Sequence, residues 1–372
     1  MHTYTLITRC AAVAVVAATL ACAGDRATSP APASSFDAPR ALADLDAMGS
    51  ALHQSAWLSL GTMGPRFDLS PLATAVVSAA NDVGAAEPRR AAVITAQRLM
   101  TLAGSRSSAS AAANGAIPPA ALGKTFVYDG TQHRYVADPT RFGAPPNGVR
   151  FILYAVNPVT HEPVTGAEVG HADLMDEGTP GATGIALHLV VVSGGTVFLD
   201  YRVAMDGSSN SGALAVSGFV VNGQTRLQFQ IGAHGTSSND VATIDVEFQF
   251  AVPERGFSVE GRVQGVHAAS GDGSSESLHL RVATGSAVIG FDARSDGQNV
   301  DAAVTVNGNL FASVRGDARS PEIRGEGGRP LSADEMQALG QMMQLAGGAR
   351  EMFGQLLAPV GGIVGLSGMT GS

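Results

Sequence analysis

The chain has 372 residues, 45% of them hydrophobic and only 15% charged, with a formal net charge of −9. That length suits one large or two ordinary domains. An acidic balance, with Lys124 the single lysine among 23 basic residues, argues against nucleic acid and against electrostatic docking on anionic lipid.

Charged residues fall well below the usual quarter of a globular chain, and 46 glycines with many alanines make up much of the remainder. A core must therefore come from the sparser large aliphatic side chains. At the amino terminus, His2 and Arg9 precede an uncharged run from Cys10 to Ala21. A bilayer-spanning helix needs about 20 apolar residues, so this shorter run fits the core of an export signal occupying residues 1–21.

The segment Thr19-Leu20-Ala21-Cys22 that follows resembles the lipobox of bacterial lipoproteins. The resemblance implies that Cys22 is diacylated, becomes the first residue after cleavage and is then often acylated on its new amino group. It departs from the commonest pattern in one respect, since Leu20 stands two residues before the cysteine rather than three. Ordinary cleavage after Ala21-Cys22-Ala23 also satisfies the small-x-small rule and would give a soluble secreted protein. Cysteine arithmetic favours lipidation: Cys10 leaves with the signal, so Cys22 has no partner for a disulfide. By the lipoprotein sorting rule, the absence of Asp at Ala23 implies the outer membrane, with the chain facing the periplasm or the cell surface. Residues 22–38, rich in Pro, Ser and Ala, read as a tether.

Residues 39–104 carry helical punctuation. Leu42, Leu45, Met48 and Leu52 form one stripe, Ser70-Pro71 is a cap followed by proline at the first helical position, and a helix opened by Glu87-Pro88 stops at Gly104. Residues 105–121 are low in complexity and read as a linker.

Over residues 122–318 the hydrophobic period changes to 2. Leu227, Phe229 and Ile231 alternate with Gln228 and Gln230, and Ile244, Val246, Phe248 and Phe250 alternate with Asp245, Glu247 and Gln249. The same alternation runs through Phe257, Val259 and Val263, through Leu278, Leu280 and Val282, and through Val300, Ala302, Val304 and Val306. Gly194-Gly195, Asp206-Gly207, Asn222-Gly223, Asp272-Gly273, Asp296-Gly297 and Asn307-Gly308 punctuate these runs as hairpin turns. In residues 330–360, Ser332 to Glu335 form a capping box that opens a helix bearing Met336, Leu339, Met342 and Met343, and a further apolar stretch carries Met352.

The expected fold is mainly β with flanking helices: a large antiparallel meander, curved or half-barrel-like. Its apolar face must be covered, and the N- and C-terminal helices are the available cover. A transmembrane barrel shows similar alternation, but aromatics are only 5% and the sole tryptophan, Trp57, lies in the helical segment. A lipobox, a tether, a one-sided meander and short covering helices together resemble the periplasmic lipoprotein-carrier and lipid-carrier proteins, in which an unclosed barrel with helical lids holds acyl chains. The likeness is one of layout. The segment from Gly148 to Pro158 (GVRFILYAVNP) also resembles a family of bacterial lipoproteins, and that likeness implies no activity.

No nucleophile elbow, phosphate loop, dinucleotide fingerprint or zinc helix occurs, and no cofactor is expected. Among His161, Glu162, Glu168, His171, Asp173, Asp176 and Glu177, the weak metal candidates are His161, Glu162, His171 and Asp173, with no recognised ligand spacing. His188 and His279 each stand between leucines on polar strand faces and are expected to meet solvent. Asp206 to Gly212 lacks the ordered acidic positions of a calcium loop, and Lys124 has no evident catalytic partner. Met336, Met342, Met343 and Met352 suit either a core helix or an adaptable lid over an acyl ligand.

The expected function is thus a non-enzymatic, lipid-anchored envelope protein that binds or shelters a hydrophobic or acyl ligand. The alternatives are a structural or assembly lipoprotein that binds another envelope protein, and a hydrolase without a familiar motif.

Overall fold

The computed structural model describes residues 38–60 and 116–348, apart from 53, 118, 179–183, 209, 224, 239–240, 269–274 and 286. The export signal, Cys22, most of the tether and Met352 lie outside these residues, as do the helices expected after Ser70 and Glu87.

The described part is mainly β, with strands from Thr125 to Gly325. They are β1 (Thr125–Asp129), β2 (Arg134–Ala137), β3 (Gly148–Val156), β4 (Pro163–Asp176), β5 (Ile185–Ser193), β6 (Thr196–Gly207), β7 (Ser211–Asn222) and β8 (Thr225–Ser238). After these come β9 (Val241–Val252), β10 (Phe257–Ala268), β11 (Ser275–Thr284), β12 (Ala287–Ser295), β13 (Asn299–Val306), β14 (Asn309–Asp317) and β15 (Glu322–Gly325). All fifteen form one open sheet, and from β3 to β15 each strand pairs with its neighbour in sequence. The meander is antiparallel except at one place: β1 lies parallel to β3, and β2 forms the outer edge beyond it.

Local chemistry fixes the hairpins. Gly194 and Gly195 both take positive φ between β5 and β6, as do Asn307 and Gly308 between β13 and β14, which is the backbone of the primed two-residue turns. Asn307 adds a cross-link, since its side chain accepts from Val288 N–H at 2.9 Å. Asp206-Gly207 is not a turn. Both residues extend β6, and the reversal falls at 208–210, where Ser208 N–H bonds Ser211 C=O at 2.8 Å.

The alternation expected from the sequence is present in three dimensions. Along β9, Ile244, Val246, Phe248 and Phe250 are buried, and Leu227, Phe229 and Ile231 are buried on β8. These residues belong to a single apolar cluster that takes side chains from β3 to β14. Tyr201 lies wholly inside it, tilted against Phe229 at 5.2 Å between ring centres. A smaller cluster of Tyr128, Ile152 and Tyr154 lies beside β1 and β3.

Three helices contribute to the main cluster. Helix α1 (Ala38–Ala51) gives Ala41, α2 (Ser55–Leu60) gives Ala56, Trp57 and Leu60, and α3 (residues 333–348) gives Leu339, Met342 and Leu345. Polar bonds fix the first two. Asp44 of α1 is buried and receives Arg255 Nη1 at 2.8 Å from the β9–β10 connection. Just beyond α1, Gln54 donates to Asn222, which in turn donates to Ser50. Tyr154 N–H donates to the buried hydroxyl of Ser59 in α2 at 3.2 Å. The neighbouring Ile152 carbonyl accepts from Tyr135 Oη at 3.1 Å, so two hydroxyls occupy backbone groups of β3.

At the start of α3, Ser332 N–H donates to Glu335 at 2.9 Å and Glu335 N–H donates back to Ser332 Oγ at 3.3 Å, a reciprocal capping box. Arg329 grips the same carboxylate with two bonds, 2.7 and 2.5 Å. The guanidinium, followed by the Ser332 bonds, holds the Glu335 carboxyl down to about 2.

The strands also approach closely. A Cβ added at Gly218 would lie 2.0 Å from the Asp200 carbonyl oxygen, whereas one added at Gly232 would meet nothing within 4 Å.

Gly218→Ala should lower the thermal midpoint by an amount corresponding to about 1–3 kcal/mol, since backbone must shift to admit the methyl. Gly232→Ala should be neutral or mildly stabilising; equal loss in both variants would contradict the packing. Because the folded Glu335 pKa is depressed, its stabilising effect is complete above the ordinary carboxylate value and is lost as pH falls towards about 2. Acid titration should therefore loosen α3 between roughly pH 4.5 and 2, seen as exchange of its amides, and Glu335→Gln should remove that step.

Candidate functional site

Cross-strand register places the polar residues of successive strands in rows on the face opposite the main cluster. One row runs Gly232, Glu247, Arg262, His279, Asp292 and Ala303, and the next runs His234, Asp245, Gln264, Ser277, Arg294, Asp301 and Arg315. Neighbours in such rows are about 5 Å apart, within reach of long side chains.

Most of these charges are paired. Arg262 forks onto Asp245 at 3.0 and 2.6 Å and reaches Glu247 at 3.3 Å. Gln264 donates to Asp245 at 3.0 Å. The Arg262 bonds, followed by the Gln264 bond, hold the Asp245 carboxyl below the usual range. His279 Nδ1 pairs with Asp292, Arg281 with Glu260 at 3.5 Å, and Arg315 with Asp301 at 3.2 Å. Arg294 makes no ion pair among the described residues.

Two adjoining hollows open on this face. The first, about 460 Å³, is lined by alternate residues of β10 to β13, among them Arg262, Ser277, His279, Asp292, Arg294 and Asp301. The second, about 500 Å³, shares Gln264, Ser277, Arg294 and Asp301 with it and extends to Asp296 and Asn299. The Asp296 carboxylate caps the backbone N–H groups of Asn299 and Gln298, which hold its pKa down to about 2.

A second polar cluster is centred on His188. Its position between Leu187 and Leu189 suggests a solvent-facing side chain, but it is 8% exposed. Nδ1 lies 3.0 Å from Glu177 Oε1 and Nε2 lies 3.1 Å from Asp200 Oδ1, while Arg202 bonds the same Asp200 at 3.0 Å. Period-2 reasoning finds the face but not the cover: Glu177 and Arg202 close over the ring, and neither contact is local in sequence.

The weak metal candidates are engaged elsewhere. Both Asp173 oxygens accept from Arg150 at 2.7 Å. His171 Nε2 lies 3.9 Å from Asp173, and burial, then Arg150, pushes the His171 pKa down. Glu162 pairs with His133 at 3.0 Å, and His161 sits in the β3–β4 turn with φ of 58°. No group of three or more His, Cys, Asp or Glu is placed to hold a metal among the described residues. Asp176, from the same acidic stretch, serves a structural end by accepting from Ala116 and Ile117 N–H at 2.6 and 3.3 Å.

The methionines diverge. Met342 is fully buried in the main cluster, Met336 is half-buried and Met343 is exposed. Serine, histidine and aspartate do meet in one hollow, as Ser277, His279 and Asp292. The His279 side chain is 62% exposed, however, and no bond from Ser277 to the ring exists, so the nucleophile–base contact of a hydrolase is missing.

Replacing His188 with Phe takes one partner from each of two carboxylates, leaving both to Arg202, and should cost about 1–3 kcal/mol in denaturant unfolding, against less than about 0.5 kcal/mol for the exposed His279→Ala. Equal effects would remove the special status of His188. No protein-family profile, curated protein or solved structure matches the chain.

Proposed function

We propose that the protein is a non-enzymatic, lipid-anchored component of the bacterial cell envelope, attached through Cys22 to the outer membrane and facing the periplasm or the cell surface. In this reading the sheet coils as a half-barrel-like trough, the helices of both chain ends fill its apolar side as permanent cover, and the polar strand face meets another envelope protein.

One observation carries the reading: the amino-terminal helices are pinned by directional polar bonds. Asp44 to Arg255 joins α1 to the β9–β10 connection, and Ser59 to Tyr154 N–H joins α2 to β3. A lid formed by α1 and α2 that opens for an acyl chain would have to break both bonds. The polar face, by contrast, displays paired charges and two hollows to solvent, an arrangement suited to recognition. Sheltering of a hydrophobic or acyl ligand is the second reading, supported by Leu339, Met342 and Leu345 lying against the apolar cluster.

Cys22→Ser should release the protein from membranes and abolish palmitate incorporation; an unchanged membrane fraction contradicts the anchor. Cross-linking in intact cells from a residue of the polar face should capture one reproducible protein. Co-purifying lipid in native mass spectrometry, without any captured protein, would favour the acyl-ligand reading instead.

A further inference from the structure

Over β10 to β14 most arginines of the polar face are paired with carboxylates and, among the described residues, Arg294 is not. Arg202, Arg262, Arg281, Arg315 and Arg324 each have a carboxylate within ion-pair distance. Arg294 has none among the described residues, because Asp301, directly opposite it across β12 and β13, is held by Arg315 at 3.2 Å. Two guanidiniums therefore flank one carboxylate in this row, and only Arg315 holds it.

Arg294 lines both hollows. Around it hydrogen-bonding groups alternate with apolar ones, among them Leu278, Ala293, Val266 and Val300. The Ser277 hydroxyl makes no hydrogen bond among the described residues, Gln264 uses only its amide N–H on Asp245 and keeps its oxygen, and His279 keeps Nε2 because Nδ1 serves Asp292. The volumes, about 460 and 500 Å³, fall in the range of small-molecule sites. These groups stand on a lattice of about 5 Å across strands by about 7 Å along them, so they offer spaced donors and acceptors instead of one concentrated charge.

We propose that the paired hollows on β10 to β13 are a binding site for an acidic oligosaccharide, whose carboxylate supplies the anion missing at Arg294. Its hydroxyls bond Ser277, the Gln264 oxygen, His279 Nε2 and Asp301. The planar guanidinium suits a carboxylate, which it takes with two parallel bonds. A sugar suits the rest because a polyol both donates to Asp301, the Gln264 oxygen and His279 Nε2 and accepts from Ser277. Only the source of the glycan, the cell envelope, rests on the function proposed above; binding itself does not need the lipid anchor.

The test is calorimetric titration of the full chain in detergent with tetragalacturonate, maltotetraose and inorganic phosphate. Tetragalacturonate should bind about tenfold or more tightly than either of the others, and Arg294→Gln should lose that about tenfold preference. Arg226→Gln, whose guanidinium stacks on Phe219 at 3.6 Å away from the hollows, should bind as the parent does. No binding of tetragalacturonate, unaltered binding by Arg294→Gln, or equal binding of maltotetraose or phosphate would each overturn the assignment. A Cys22→Ser protein that leaves the membrane yet keeps the preference separates this site from the anchor.

Discussion

A sheet of fifteen strands with a dry face and a wet face cannot exist bare in water, and the remaining structure follows from hiding that dry face. Each strand is a simple alternation, and at about 25 cal/mol per Å² the buried side chains of β6 to β13 drive the assembly. A meander adds strands without limit, so the burden falls on what closes the apolar side and what happens at the ends. Tyr201, Phe250 and Phe257 lie wholly inside the cluster, and residues of α1, α2 and α3 join them there.

The polar face obeys a second constraint. Alternation forces every other residue of adjacent strands into contact, so a random choice of charges would place like beside like. Glu247 beside Arg262 and Asp301 beside Arg315 show the avoidance of that outcome. The pairs are mostly half-exposed and individually worth little. Their effect is to fix register, since a shift by one residue would expose the phenylalanines and bury the arginines.

Much of this is legible in the sequence because strand alternation and Asn-Gly or Gly-Gly turns are local signals. Leu278, Leu280 and Val282 point inward as their spacing requires, and Asn307-Gly308 turns where it should. Three features were hidden. The parallel contact of β1 with β3 joins strands separated by a hairpin. Asp206-Gly207 carries a turn signature, yet β6 runs on to Gly207 and the reversal falls just past it. The burial of His188 depends on Glu177 and Asp200, eleven and twelve residues away in sequence. The Arg294 hollow was equally invisible, because it arises from which carboxylate Arg315 takes.

The bonds that pin the amino-terminal helices set an order of assembly. Each hairpin of the meander closes a loop of a few residues, whereas Ser59 to Tyr154 spans 95 positions and Asp44 to Arg255 spans 211. Short loops close at lower entropic cost than long ones. The sheet can therefore grow strand by strand from local contacts, while α1, the first described element of the chain, cannot take its final place until β9 and β10 exist. Of the two amino-terminal helices, α2 can dock once β3 exists and α1 only later, so a chain cut short before Arg255 keeps the Ser59 bond but lacks the one that holds α1.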